Sequence, residues 1–326
     1  MLFTCKQSLT GRAPESYLQH YPIEKVAAPT QKVMDKSVPD VAYSVFPMSA
    51  PNGTNGSHGN FVTDPRHAGT DLQLRTLRQA YYTTVSWADF AAGQIINELD
   101  ALGLTNDTMV VLHSDHGWHL GEYAMWEKRT NWELGTRVPL IMRVPWIPGA
   151  ASGKRSKALV EVVDIYQTVC DVMGVTLPDD TVAFDGTSLK PVLESPETTS
   201  DFKPYALSTF PRCAHVGMPQ YGARGQKGGA DNTCLEVERT DFTWMGYTMR
   251  TARWRYTEWV GWNGTSLTPL WGQLKAAELY DHQLDVGAWT DADKYENVNL
   301  VTTTPKAVVQ ALSKQLHGAF GFPDGR

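Results

Sequence analysis

The residue types best suited to chemistry lie close together between His113 and Arg137. Asp115 and His116 are adjacent and offer a carboxylate oxygen and an imidazole nitrogen side by side. Calcium and magnesium are hard cations that prefer the carboxylate, whereas zinc and manganese accept both kinds of ligand. An Asp-His pair also occurs in ordinary turns whose histidine is satisfied by hydrogen bonds. The pair alone therefore leaves a metal site and a structural turn open.

The residues after this pair favour a functional site. They combine titratable side chains with two tryptophans in one loop, which is more typical of a site than of a loop with a packing role. They are Trp118, His119, Glu122, Trp126, Glu127, Lys128 and Arg129. We therefore treat the loop after Asp115 and His116 as the candidate site.

Short apolar segments on either side position this loop. Residues 109–112 form an apolar run typical of a buried strand, and residues 138–145 are typical of the next strand. Gly117 allows the backbone to turn directly after the Asp-His pair. Because ligands of open α/β sheets bind outside the carboxyl ends of strands, we expect Asp115 at such an end.

Further segments carry the periodicity of regular structure. Residues 71–102 have apolar side chains at helical spacing and predict one long helix, with Gly103 as its cap. Residues 158–173 and 305–320 predict two more helices. Residues 245–263 alternate aromatic or β-branched residues with polar ones, as two antiparallel strands do. The sequence therefore predicts an α/β chain.

A polar linker, residues 194–203, marks the expected domain boundary. We expect residues 1–203 to form the larger α/β domain and residues 204–326 a small α+β subdomain with antiparallel strands and a terminal helix. Cys213 and Cys234 flank a Gly-rich loop in the second part, and we expect them to pair if the protein is secreted. Residues 47–68 are rich in Gly, Pro, Asn and Ser and predict an exposed loop.

The bulk composition limits the function classes. The chain has 326 residues, of which 42% are hydrophobic, and a formal net charge of −6 at pH 7. These values are typical of a globular protein with a substantial core and argue against a nucleic-acid partner. No apolar run approaches about eighteen residues, so we expect no membrane insertion. Residues 1–6 are too few and too polar to form a signal peptide.

Three blocks of residues resemble type I sulfatases, and residues 21–43 and 245–263 resemble the iduronate 2-sulfatase type within that family. The blocks are Ser-Asp-His-Gly-Trp-His-Leu-Gly-Glu at 114–122, Trp-Glu-Lys at 126–128 and Arg-Val-Pro-Leu-Ile at 137–141. The resemblance implies an alkaline-phosphatase-like fold with a mixed sheet flanked by helices. It implies that Asp115 and His116 are ligands of one calcium ion and that Lys128 contacts the sulfate ester in catalysis. It also suggests substrate contacts for Trp118, His119 and Arg250.

The amino-terminal residues match the sulfatase pattern only in part. Leu-Thr-Gly-Arg at 9–12 resembles the end of the nucleophile motif, in which a cysteine becomes formylglycine. The Cys-x-Pro-x-Arg part of that motif is absent from residues 1–326, and Cys5 lies too close to Leu9 to replace it. The resemblance therefore leads us to expect a catalytic domain that is incomplete at its amino terminus, and no sulfate ester turnover by residues 1–326 as they stand.

The first hypothesis from the sequence is a sulfuric ester hydrolase that acts on sulfated uronic sugars of glycosaminoglycan-like polymers. The resemblance implies a lysosomal or secreted protein, and four Asn-x-Ser/Thr triplets, at Asn52, Asn55, Asn106 and Asn263, agree with that route. Two alternatives stay open. One is a degenerate sulfatase that acts as a binding protein, and the other is a metal-dependent phosphoesterase on the same fold.

Overall fold

The computed structural model describes residues 2–4, 13–44, 47–51, 58–62, 68–150, 153–176, 184–213, 234, 237–285 and 294–321. Cys5, residues 9–12 and most of the Gly-rich loop between Cys213 and Cys234 lie outside these ranges. Within the described part, none of the helices combines the length and the apolar composition needed to cross a lipid bilayer.

Strands and helices alternate over the first two thirds of the chain, and strands dominate the last third. The strands are β1 (Leu2–Thr4), β2 (Pro47–Pro51), β3 (His58–Val62), β4 (Val110–His113), β5 (His119–Leu120), β6 (Trp126–Glu127), β7 (Leu140–Arg143), β8 (Ala206–Arg212), β9 (Trp244–Arg250), β10 (Trp254–Asn263) and β11 (Thr268–Asp281). The α-helices are α1 (Asp71–Ala101), α2 (Glu133–Thr136), α3 (Asp164–Met173), α4 (Lys190–Glu194) and α5 (Lys306–Ala319). Short 3-10 helices span Glu15–His20, Ile23–Lys25, Asp40–Ala42, Glu122–Ala124, Pro148–Ala150 and Arg239–Asp241.

The strand that carries the candidate site lies in a three-stranded mixed sheet of order β1-β4-β7. β4 pairs in parallel with β1 and antiparallel with β7, where His113 lies opposite Leu140. The apolar residues of β4 account for this position, because Val110 and Val111 are buried. The mixed α/β sheet is therefore confirmed, and Asp115 follows the carboxyl end of β4 as predicted.

The long helix α1 matches its prediction within one residue. Gly103, with a positive φ of 69°, ends it as expected. Helix α3 ends at Gly174, also at positive φ, but it begins at Asp164 and not near residue 158. The reason is local: the Asp164 carboxylate accepts a hydrogen bond from the Glu161 backbone N–H at 2.8 Å and thereby sets the first turn.

The predicted antiparallel strands are confirmed as β9 and β10, which belong to a four-stranded sheet of order β11-β10-β9-β8. Helix α5 packs against it, and His317 of that helix contacts the buried Glu258 of β10 at 2.8 Å. The structure joins Cys213 to Cys234 by a disulfide. The segment predicted as an exposed loop contains the antiparallel pair β2 and β3, whose strand character the Gly- and Pro-rich composition concealed.

The chain divides into two compact units, and neither is a continuous stretch. One comprises Met1–Lys6, Ala88–Asp115 and Val138–Leu207, and the other Gln7–Trp87, His116–Arg137 and Ser208–Arg326. This division differs from the expected domains 1–203 and 204–326, although the last boundary lies only four residues from the predicted one. The difference arises because Trp126 and Trp132 of the site loop share one buried cluster with Trp259 and Tyr280 of the carboxyl-terminal strands.

Candidate functional site

Lys128 and His116 are in direct contact at the centre of the candidate site. The ammonium group of Lys128 hydrogen-bonds Nε2 of His116, and Nδ1 of the same ring lies 2.9 Å from the Gly117 carbonyl oxygen. A carbonyl oxygen only accepts and an ammonium group only donates, so the ring carries its proton on Nδ1. His116 is therefore neutral in this arrangement, with the lone pair of Nε2 directed at Lys128.

The aromatic ring of Trp118 lies beside both His116 and Lys128. This ring stacks on that of His116 at an interplanar angle of 30° and on that of Tyr81 at 25°, with centroid distances of 5.9 Å in both cases. The Lys128 ammonium is 5.7 Å from the Trp118 ring centroid, within the range of a cation–π interaction. His116, Trp118 and Lys128 are each partly accessible to solvent. The cluster thus combines a cation, an imidazole and an apolar ring face at the surface.

Asp115 ends the unit that contains β4, and its side chain is exposed to solvent. The turn after it depends on Gly117, whose backbone N–H donates to the Gly135 carbonyl at 3.0 Å. A Cβ atom at position 117 would lie 2.2 Å from the Leu134 carbonyl oxygen, so no side chain fits there. The sequence predicted a turn at Gly117, but the close approach of residues 134–137 that requires glycine was not foreseen.

His119, which the resemblance suggested as a substrate contact, is completely buried. Its Nε2 lies 2.8 Å from the Thr130 hydroxyl, and its ring packs at the edge of Trp132. Burial lowers the pKa of His119 to about 4, so the ring is neutral. These contacts give His119 a packing role, and its expected contact with a sugar stays a prediction.

Arg250 is likewise occupied by protein carboxylates. Its Nε donates to Glu133 at 3.2 Å, and its Nη2 lies 3.8 Å from Asp285. The side chain is only 14% exposed. The charge of Arg250 is balanced inside the protein by these carboxylates, and its expected contact with an anionic substrate stays a prediction. Arg253 lies nearby and pairs with Asp281 at the surface.

Glu133, His282 and Glu296 form a buried cluster that the sequence analysis missed. Their ligand atoms lie within 4.8 Å of one another, a spacing suitable for a metal ion. Arg255 bonds both carboxylates, however, and His282 lies 3.0 Å from Glu296. Burial opposes ionisation of Glu133, but Arg255 outweighs it and lowers the pKa to about 2. The cluster is therefore a buried ion-pair network. Glu133 joins it through contacts across more than 100 residues, which local sequence patterns do not reveal.

Comparison of the amino-acid sequence with known proteins shows which family this chain resembles. A model of the sulfatase family matches residues 30–175. Iduronate 2-sulfatase of Mus musculus is 29% identical over 313 residues, which cover 84% of this chain and 54% of that protein. Its Homo sapiens counterpart is 28% identical over 335 residues, with coverage of 90% and 56%. Residues 30–175 of this chain are therefore similar to the sulfatase family.

A solved structure has a similar fold. The phosphonate monoester hydrolase SpPMH from Silicibacter pomeroyi superposes on 77% of this chain and 41% of its own, with a TM-score of 0.54 and 25% identity. The sulfatase resemblance and the alkaline-phosphatase-like α/β fold are therefore confirmed. The chain spans about half the length of the iduronate 2-sulfatases it matches.

Proposed function

We propose that the chain supplies part of a site that hydrolyses sulfate esters of uronic sugars, as in glycosaminoglycan-like polymers. The observation that carries this proposal is the contact between Lys128 and His116 beside Trp118. A sulfate ester gains negative charge on its leaving oxygen during hydrolysis, and a fixed ammonium group stabilises such charge. Lys128 is the group assigned to that role. The uronic sugar is proposed from the names of the iduronate 2-sulfatases.

Asp115 and His116 are proposed as two ligands of a calcium ion. Asp115 offers an exposed carboxylate. The contact between Nδ1 of His116 and the Gly117 carbonyl sets the tautomer that a metal-binding histidine requires, with the lone pair on Nε2. That lone pair accepts from Lys128 in this structure, so an ion would bind there in place of the ammonium group. The two residues thus fit a divalent ion chemically, although calcium takes about six to eight ligands in all. A bound ion would supply positive charge for the sulfate oxygens.

Trp118 is proposed to contact the sugar, because an aromatic ring face suits the apolar face of a pyranose. His119 and Arg250 have no part in this proposal, since their contacts are internal. The Cys213–Cys234 disulfide supports a lysosomal or secreted location, where such bonds persist.

The experiment combines metal binding with a choice of esters. Calcium titration of residues 1–326 by calorimetry should show binding that Asp115→Asn abolishes, whereas Asp107→Asn, an exposed aspartate before the same strand, leaves it unchanged. A form of the protein that also carries the formylglycine motif, which is absent from residues 1–326, is then offered a 2-O-sulfated uronic disaccharide and a phosphate monoester. Turnover of the sulfate ester supports the proposal.

Other results would favour the alternatives. Binding of the sulfated sugar without turnover would support a degenerate sulfatase that acts as a binding protein. Preference for the phosphate monoester would support a phosphoesterase. Calcium binding that survives Asp115→Asn would remove Asp115 from the metal site.

A further inference from the structure

Residues 131–133 connect the candidate site to the carboxyl-terminal part of the chain. Each of the three makes a hydrogen bond that bridges more than 100 positions in sequence. The bonds run from Asn131 Nδ2 to the Gly246 carbonyl at 3.2 Å, from Trp132 Nε1 to Glu278 at 2.8 Å and from the Glu133 backbone N–H to Glu296 at 2.6 Å. All these residues belong to one compact unit.

Arg255 of β10 lies at the centre of these contacts. Its Nη1 donates to the Asn131 carbonyl at 3.0 Å, its Nη2 bonds Glu133 and its Nε bonds Glu296. The side chain is only 3% exposed. A guanidinium group has several donors in a rigid plane, so it can hold three acceptors at fixed angles at once. A lysine has its donors on one nitrogen and cannot reproduce this arrangement.

Two residues just before this segment, Lys128 and Thr130, contact the candidate site. Lys128 bonds His116, and Thr130 bonds His119 at 2.8 Å. Only two residues separate Lys128 from Asn131, so a shift of the 131–133 backbone is transmitted directly to the position of the lysine.

We propose that Arg255 is a positioning residue for Lys128. It fixes residues 131–133 to the carboxyl-terminal strands and so holds the Lys128 ammonium against His116. The carboxyl-terminal sheet, and not β4, then determines where the cation of the site lies. The functional meaning of this positioning rests on the proposed role of Lys128 at a sulfate ester, but the positioning itself is measurable without turnover.

The test follows the accessibility of Lys128 in the folded protein. Residues 1–326 are treated briefly with an amine-acylating reagent, and the modification of each lysine is measured by mass spectrometry, with the exposed Lys157 as internal reference. In Arg255→Lys we expect Lys128 to react about tenfold faster, the factor that loss of a hydrogen bond to a charged group gives. Arg253→Lys is the matched control, because its surface pair with Asp281 does not contact the loop. It should leave the Lys128 rate unchanged.

A second variant keeps the proposal falsifiable if Arg255→Lys does not fold. Glu296→Gln removes one of the two charges that hold Arg255, while an amide oxygen can still accept from the Glu133 backbone. We expect a smaller but definite rise in Lys128 reactivity. An unchanged Lys128 rate in whichever of the two variants retains the parent's near-ultraviolet circular dichroism would overturn the proposal. Because acylation needs no catalysis, failed sulfate hydrolysis with a normal acylation response would reject only the proposed function.

Discussion

Asn131 and Gly246 meet so closely that position 246 has no room for a side chain. The Asn131 amide donates to the Gly246 carbonyl, and a Cβ atom at position 246 would lie 2.5 Å from that same nitrogen. The Trp259 ring crowds the same point from the neighbouring strand, with its nearest atom at 2.7 Å. The site loop and the carboxyl-terminal sheet are thus in contact at a position where only glycine fits.

Gly246→Ala should therefore destabilise the protein. Overpacking of a filled interior costs about 1–3 kcal/mol, and the rigid indole of Trp259 cannot move away cheaply. Urea unfolding followed by fluorescence measures the change. Gly272→Ala, on the edge strand β11 of the same sheet, is the control, because a Cβ atom there meets nothing within 4 Å. Equal unfolding midpoints for both variants would contradict the predicted crowding.

Lys128→Ala should reduce turnover much more than stability in a form of the protein that hydrolyses sulfate esters. Removing a group that stabilises transition-state charge costs about 3 kcal/mol, or roughly a hundredfold in rate. The side chain is only partly buried, so its loss should change the melting temperature little. Lys157→Ala provides the control with an exposed lysine. Unchanged kcat/KM in Lys128→Ala would remove this residue from the site.

His119 should make stability depend on pH in the mildly acidic range. Its pKa falls from 6.5 in the unfolded chain to about 4 in the buried site. The unfolded state therefore binds more protons between these values, and stability falls as pH decreases from 6.5 towards 4. Unfolding free energies from urea titrations at several pH values test this. His119→Gln should flatten the dependence in that window, and a parallel curve would show that other groups cause it.

Reduction of the Cys213–Cys234 disulfide should destabilise the compact unit that contains residues 208–326. The two cysteines are 21 residues apart, and closing a loop of that size stabilises by about 3 kcal/mol on the chain-entropy estimate. Alkylation of the native protein expressed through a secretory route should leave both thiols unmodified, while the buried Cys170 reacts only after denaturation. Two alkylated thiols at 213 and 234 in the native protein would show that the bond does not form.

Local patterns in the sequence were enough to predict α1, β4 and the pair β9 and β10, because each depends on periodicity within one segment. The nearness of Lys128 to the Asp-His pair was expected from residue types and short spacing, but its direct hydrogen bond to His116 was not. The roles of His119 and Arg250 did not follow, since a buried histidine and an exposed one have the same sequence signature. Only long-range pairing, such as Arg250 with Glu133 across 117 positions, separates a substrate contact from an internal ion pair.

Strand β10 carries buried charges of opposite sign on its two faces. Arg255 points to Glu133 and Glu296 on one face, and Glu258, three positions later, points to His317 of α5 on the other. Because side chains alternate along a strand, a slip of one residue would exchange the faces. It would put Glu258 on the face of the two carboxylates and separate Arg255 from both partners. The buried charges of β10 therefore disfavour a one-residue shift in the alignment of the sheet.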